Sequence, residues 1–346
     1  MLDGGLTHTL GLPGPLLAAE SPGSFWLPPA RSTAAPAVDD LFYLILYVSA
    51  FFFTLIVALM ILFVIRYRRR PGYVQADSPS HNTILEVLWT AVPVAIVAFI
   101  FYQGFVTYLD MRVAPRNALG VNVTARQWSW SFQYDNGVDS PELHVPVGEP
   151  VSLRMQSQDV IHSLFIPHFR LKADVVPGRY TRTWFVATEP GTYDLYCAEY
   201  CGRGHSAMAS QVVVHPPGEF QAWLDKELEL QQSLPPVERG RKLYADKGCS
   251  QCHSTDGSVL VGPSFQGIWQ QRHTFSNAPP AVVDDNYIRE SILDPAAKIR
   301  EGFQPKMNTY KGMIKDEEIN ALIAFIRSLG KEHKGEGTLD GARDRR

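Results

Sequence analysis

A chain of 346 residues is too long for one ordinary domain, and its length suggests two or three units. The formal net charge is −3, so no global basic surface asks for nucleic acid, and none is expected as a partner. Mean hydropathy is close to neutral, but it averages two long apolar runs near the N-terminus with a remainder that reads as soluble protein.

Residues 1–38 are rich in Pro, Gly and Ala and lack a basic leader, which predicts a flexible outer segment rather than a processed signal peptide. Residues 39–110 read as a membrane hairpin. From Leu41 to Ile65 no residue is charged, and a bilayer core about 30 Å thick needs roughly 20 helical residues. A second uncharged run extends from Val87 to Leu109, interrupted by Pro93, Gly104 and a few polar residues. A pair of buried core helices is the alternative, and two uncharged runs of this length argue against it.

Arg66, Arg68, Arg69 and Arg70 lie between the runs, whereas Asp39 and Asp40 precede the first. Basic residues favour the cytoplasmic side, so the hairpin loop is expected inside, and the N-terminus and everything after Asp110 outside. Glu86 admits two readings. Thr83-Ile84-Leu85-Glu86 has the spacing of a capping box, and an acidic group at the cytoplasmic mouth of a helix can also hand protons inward.

Residues 111–215 change to period two. In Gln127-Trp128-Ser129-Trp130-Ser131-Phe132-Gln133-Tyr134 aromatics alternate with polar residues, which predicts a strand with one buried face. Strand-like runs recur near 151–155, 180–186, 192–196 and 211–214, separated by turn signals such as Pro177-Gly178 and Pro190-Gly191. Short strands at this spacing predict an all-β sandwich or barrel. The later runs lead into a loop that carries Cys197, Cys201, His205 and Met208. Thiolate, imidazole and thioether are the donors that redox copper selects. Two sulfurs suit a bridged pair of coppers, because each can serve both metals. One more imidazole is needed, and His162 is the first choice with His168 competing. The two cysteines alone would fit a disulfide equally well in an exported domain.

Residues 216–235 read as a linker with a short helix at 219–232, and residues 236–332 as a further domain. A helix at 238–248 leads into Cys249-Ser250-Gln251-Cys252-His253. Two thiols three apart with histidine directly after can form thioether bonds to haem while the imidazole takes the iron. A zinc half-site is the alternative, but no second cysteine pair remains to complete it. The distal ligand is expected to be Met307, with Met313 as competitor. A last helix places Ile319, Leu322, Ile323, Ile326 and Leu329 on one face, with Asp316 as N-cap and Gly330 as stop. The charged tail at 333–346 is expected to be disordered.

Together these residues carry a family resemblance. From about Asp40 to His215 the chain resembles subunit II of haem–copper cytochrome c oxidases: two spans, Gln127-Trp128-Ser129-Trp130, the His162 segment, Pro177-Gly178-Arg179 and the full cysteine loop. Residues 236–330 resemble a small class I cytochrome c, and Gly262-Pro263 stand where such proteins place a carbonyl that orients the proximal histidine. Their fusion is the hallmark of bacterial caa-type oxidases.

The resemblance implies a two-helix transmembrane hairpin, a cupredoxin-like barrel and an all-α cytochrome c domain. It further implies a binuclear CuA centre on His162, Cys197, Cys201, His205 and Met208 plus the backbone carbonyl of Glu199. The Glu199 side chain would help hold magnesium at the boundary with subunit I, Trp128 would be the aromatic through which electrons enter CuA, and Glu86 would stand at the mouth of the K proton pathway. Haem c would be held by Cys249, Cys252, His253 and Met307, although Asn308 stands where related cytochromes often carry proline.

The implied role is to pass electrons from an external donor through haem c and CuA to haem in subunit I, where oxygen is reduced to water with proton pumping. Subunits I and III would be membrane partners. The donor would be a cytochrome c or an upstream quinol–cytochrome c reductase, and the site the outer face of a bacterial cytoplasmic membrane. A copper-delivery protein would need neither His205, Met208 nor haem, and a quinol oxidase subunit II would lack the copper ligands.

Overall fold

The computed structural model describes residues 23–72 and 80–330; the expected tail at 333–346 and the first part of the expected flexible segment lie outside them. Two long helices come first, α1 (Ala35–Arg66) and α2 (Thr83–Asp110). None of their most apolar windows is buried within the protein, as helices facing lipid require. The N-cap of α2 is Asn82 rather than the expected Thr83. Its Oδ1 accepts from Leu85 N–H at 3.2 Å while Glu86 Oε1 accepts from Asn82 N–H at 3.2 Å. The reciprocal logic of the capping box holds, displaced by one residue.

The stretch before α1 departs from expectation. Over residues 23–34 it is pinned rather than loose, because backbone groups of Arg31 and Thr33 bond to His168, Val186 and Thr188, and Ser32 Oγ donates to the carbonyl of Phe169. Arg170 grips both carboxylate oxygens of Asp39, at 2.6 and 3.0 Å, and also donates to the carbonyl of Pro28. At the other end of the hairpin the carbonyl of Asp110 accepts from Trp184 Nε1 at 3.1 Å. The start of α1 and the end of α2 therefore both meet the following β domain.

That domain is two packed five-stranded sheets. Its strands are β1 (Leu119–Arg126), β2 (Ser129–Tyr134), β3 (Asp139–Ser140), β4 (Leu143–Pro146), β5 (Pro150–Ser157), β6 (His162–Ile166), β7 (Leu171–Val175), β8 (Thr181–Val186), β9 (Gly191–Cys197) and β10 (Ala209–His215). One sheet runs β3-β2-β1-β5-β8 and the other β4-β10-β9-β6-β7. The parallel pairs β1/β5 and β4/β10 require crossovers, which gives the expected cupredoxin-like topology. Alternation builds the core: Val121, Val123 and Ala125 face inward with Trp130, Phe132 and Tyr134 across the hairpin. The predicted strand at 127–134 begins two residues later, since Gln127 and Trp128 form the turn.

Helix α3 (Glu219–Ser233) is held on this domain, with Phe220 and Leu224 in the β core. Its Trp223 stacks on His144 with ring centres 3.9 Å apart and planes 8° apart, and His144 Nδ1 lies 2.9 Å from His215 Nε2. Burial, then repulsion from His215 and Lys242, brings His144 down to about 4. The imidazole is thus neutral in the fold but takes a proton near 6.5 when unfolded. The unfolded state binds more protons in that window, so the stability this group contributes is complete above about pH 6.5 and lost as pH falls through about 4. After allowance for solvent screening the loss is about 2 kcal/mol. Urea unfolding followed by tryptophan fluorescence should show that decline, and His144→Phe should flatten it.

The C-terminal unit is helical: α4 (Pro236–Asp246), α5 (Asp285–Leu293) and α6 (Asp316–Ser328). The apolar face of α6 is buried as predicted through Ile319, Leu322, Ile323 and Ile326, with Leu329 half-buried beyond the helix end. Asp316 is not the N-cap; Lys315 is, its N–H bound by Glu318 at 2.7 Å, and Asp316 opens the helix facing Arg289 at 3.0 Å.

Candidate functional site

The β domain gathers its soft donors at one end by strand register. In the β6/β9 pair Leu164 lies opposite Cys197. His162, two residues earlier, shares the face of Leu164 and so stands diagonal to that thiol. Met208 ends the loop beside β10, and its carbonyl accepts from Cys197 N–H at 3.2 Å. Four contacts follow. Cys197 Sγ is 3.8 Å from His162 Nδ1 and 3.9 Å from Cys201 Sγ, and Cys201 Sγ is 3.6 Å from His205 Nδ1 and 3.8 Å from Met208 Sδ. The Glu199 carbonyl lies 3.3 Å from Cys197 Sγ, while the Glu199 side chain is exposed.

His168 is not part of this group: it sits on the turn after β6, its ring tilted against Tyr193. The sulfurs are both free thiols, too far apart for a disulfide. Burial opposes ionisation of both. His162 and nearby backbone groups still bring Cys197 down, whereas burial and then the charge of Cys197 hold Cys201 up. A cation between them removes the conflict, so the donor set fits metal. Soft sulfur with imidazole fits copper.

Trp128 is buried against this loop, its Nε1 donating to the carbonyl of Cys201 at 3.2 Å, and Gln127 Nε2 donates to the same carbonyl at 2.7 Å. Space for the indole depends on Gly204, where a Cβ would lie 2.4 Å from Trp128 Cδ2. Asp159 is a functional residue that spacing alone does not reveal. Its Oδ1 accepts from His162 Nε2 at 2.8 Å, which turns Nδ1 towards the thiols.

The C-terminal unit forms an apolar crevice. Cys249, Cys252, His253 and Met307 all line it. His253 Nδ1–H donates to the carbonyl of Pro263 at 2.8 Å, so Nε2 carries the free lone pair. Burial pushes the imidazole towards its neutral form, against the raising effect of Pro263. Gly262 is needed beside it, because a Cβ there would lie 2.6 Å from His253 Cε1. Met313 does not line the crevice; its sulfur meets Gln158 Nε2 of the β domain. Two thiols, a neutral imidazole and a thioether around one apolar crevice fit a covalently held haem.

The comparisons agree with this division. Residues 20–106 match the transmembrane domain of cytochrome c oxidase subunit II, residues 137–215 its periplasmic domain, and residues 237–330 cytochrome c. The cytochrome c oxidase subunit 2 of Thermostichus vulcanus is 34% identical over 262 residues, covering 58% of this chain and 80% of the relative. The chain belongs to the cytochrome c oxidase subunit II family. That of Alkalihalophilus pseudofirmus is 29% identical over 311 residues, covering 86% of this chain and 89% of the relative. As a fused member of the family, the chain is a two-span membrane protein with a copper domain and a haem c domain, and association with subunit I follows.

The two domains touch. Gly248 packs on Ser129, and Cys252 and Val261 pack against the copper-domain core. Arg126 and Gln127 of the copper domain line the haem crevice. Arg126 is buried, its guanidinium 4.3 Å from the centre of the Tyr310 ring, and it donates to the carbonyl of Lys247, which also accepts from Tyr310 at 3.0 Å.

Proposed function

We propose that this chain accepts electrons from an external donor at its haem domain and delivers them through a binuclear copper centre to subunit I of a proton-pumping oxidase. When bound, haem and the copper pair would supply reversible one-electron chemistry. The rest is the work of this chain's residues. Cys197 and Cys201 hold the pair, with His162, His205, Met208 and the Glu199 carbonyl completing the donor set. Asp159 fixes the His162 tautomer. Buried Leu164, paired with Cys197 across the strands, helps exclude water, which keeps the surroundings from reorganising as charge changes.

Cys249, Cys252 and His253 hold the haem with Met307 as distal ligand, a choice over Met313 supported by their different placements around the crevice. Trp128, bound to the Cys201 carbonyl, is assigned as the aromatic through which electrons enter the copper centre. The exposed Glu199 side chain is assigned to magnesium shared with subunit I, and Glu86 to the mouth of the K proton pathway in addition to its cap. The basic residues between the spans support a cytoplasmic hairpin loop, with both cofactor domains on the outer face. Subunit III and a cytochrome c or quinol–cytochrome c reductase donor complete the assembly. The domain limits proposed are 39–110, 111–215 and 236–332, joined by 216–235.

The observation that carries this reading is the convergence of His162, Cys197, Cys201, His205 and Met208 sulfur and nitrogen atoms within 3.6–3.9 Å steps of one another. The test is metal and haem analysis of the purified whole chain with its paramagnetic spectrum. About two coppers per haem and a many-line copper hyperfine pattern are expected. One copper per chain with four lines, or no c-haem absorption, would sink it.

A further inference from the structure

A chain of hydrogen bonds crosses the contact between the two cofactor domains. Asn308 directly follows Met307, which lines the haem crevice. Its Nδ2 donates to Asp159 Oδ2 at 2.9 Å, across 149 residues of sequence. Asp159 Oδ1 accepts from His162 Nε2 at 2.8 Å, and His162 Nδ1 faces Cys197 Sγ at 3.8 Å. The carboxylate is held from the other sides by Gln127 N–H and Val160 N–H, each at 2.7 Å, so it presents a fixed acceptor. Asp159 and Asn308 are both partly buried, and the hydrogen bond involves an ionised group, the stronger kind.

We propose that Asn308 is a positioning residue for transfer between the two cofactors: it docks the distal side of the haem crevice onto Asp159 and thereby onto the copper ligand His162. This rests on the cofactor assignment above. With both cofactors bound, the step that Asn308 would assist is a one-electron transfer from reduced haem to oxidised copper in which no bond forms or breaks. Asn308 supplies the only side-chain donor to Asp159 from the haem domain among the described residues. It gives a short bonded route from the residue beside Met307 to His162. A second contact, Arg126 on the Lys247 carbonyl and over the Tyr310 ring, keeps the domains from parting completely when Asn308 is changed.

Asn308→Ala removes the donor, and the nearly isosteric Asn308→Asp places a second carboxylate against Asp159. In the full chain carrying both cofactors, haem is reduced by a laser-triggered donor and the haem-to-copper step is followed optically. That step should slow by roughly tenfold in Asn308→Ala, the loss of one charge-assisted hydrogen bond from a docking equilibrium, and further in Asn308→Asp. Reduction of haem by the donor, the methionine–iron charge-transfer band and the copper paramagnetic spectrum should stay as in the parent. A parent-like haem-to-copper rate in both variants overturns the proposal. So does loss of the methionine band or of the copper spectrum in both, which would make Asn308 a structural support of one site. A parent chain lacking haem or paired copper overturns the cofactor assignment itself, and shows this before any variant is made.

Discussion

Cys201→Ser is expected to abolish the many-line copper spectrum while leaving the c-haem absorption unchanged. Cys201 Sγ is the centre of the donor group, with Cys197 Sγ, His205 Nδ1 and Met208 Sδ at 3.9, 3.6 and 3.8 Å. A hydroxyl in its place is a hard, weakly acidic donor on a shorter bond, and it cannot bridge two soft ions. Bound copper should fall from about two to one or fewer per chain, and any that remains should give the four-line pattern of a single ion. Cys197→Ser should do the same and in addition leave His162 without its sulfur neighbour. The reduced pair is also vulnerable: closing the 3.9 Å gap to a disulfide would consume both thiolates and exclude copper, so loading should require reductant. Copper analysis with paramagnetic resonance on each variant checks all of these outcomes.

Gly240→Ala should destabilise the haem domain by about 3 kcal/mol or more, beyond the usual cost of overpacking. At this position α4 crosses α6 so closely that a Cβ would lie 2.0 Å from the Ala321 carbonyl oxygen and 2.7 Å from Phe325 Cβ. Both obstacles belong to the backbone or its first side-chain atom, and neither can rotate away. The gain in helix propensity from Gly to Ala, about 1 kcal/mol, is too small to offset the separation of the helices. Such a loss is a large part of the 5–15 kcal/mol that holds an ordinary domain together. Haem incorporation and the haem-domain unfolding midpoint should fall together, while the copper spectrum of the β domain stays intact. A midpoint within experimental error of the parent would show that the helices can part there without cost.

Much of this was legible from spacing. The two apolar runs need only length and the absence of charge. The loop carrying Cys197, Cys201, His205 and Met208, and the cluster Cys249, Cys252, His253, are local motifs whose chemistry follows from neighbours in sequence. Capping was legible in kind but not in register, because Asn82 and Thr83 are both good N-caps and only backbone dihedrals separate them. Trp128 reads as a strand residue because it continues an alternating run, yet the chain turns at Gln127 and Trp128 and brings the indole onto the Cys201 carbonyl. The segment at 23–34 has the composition of a loose terminus, but backbone bonds to the edge of the β domain hold it.

By itself, then, the sequence determined the membrane hairpin, the two cofactor-binding motifs and the family, since each depends on residue types at short separations. The sequence already put His162 ahead of His168, and the pairing of β6 with β9 supplies the physical reason by setting His162 beside the thiols. The placement of Met307 in the crevice, with Met313 turned to Gln158, came from how the haem domain sits against the copper domain. Asp159 and Asn308 belong to the same class: 149 residues apart, they meet only because two separately built domains are docked. Contacts of that kind are set by packing and satisfied hydrogen bonds across the folded chain, and no local pattern encodes them.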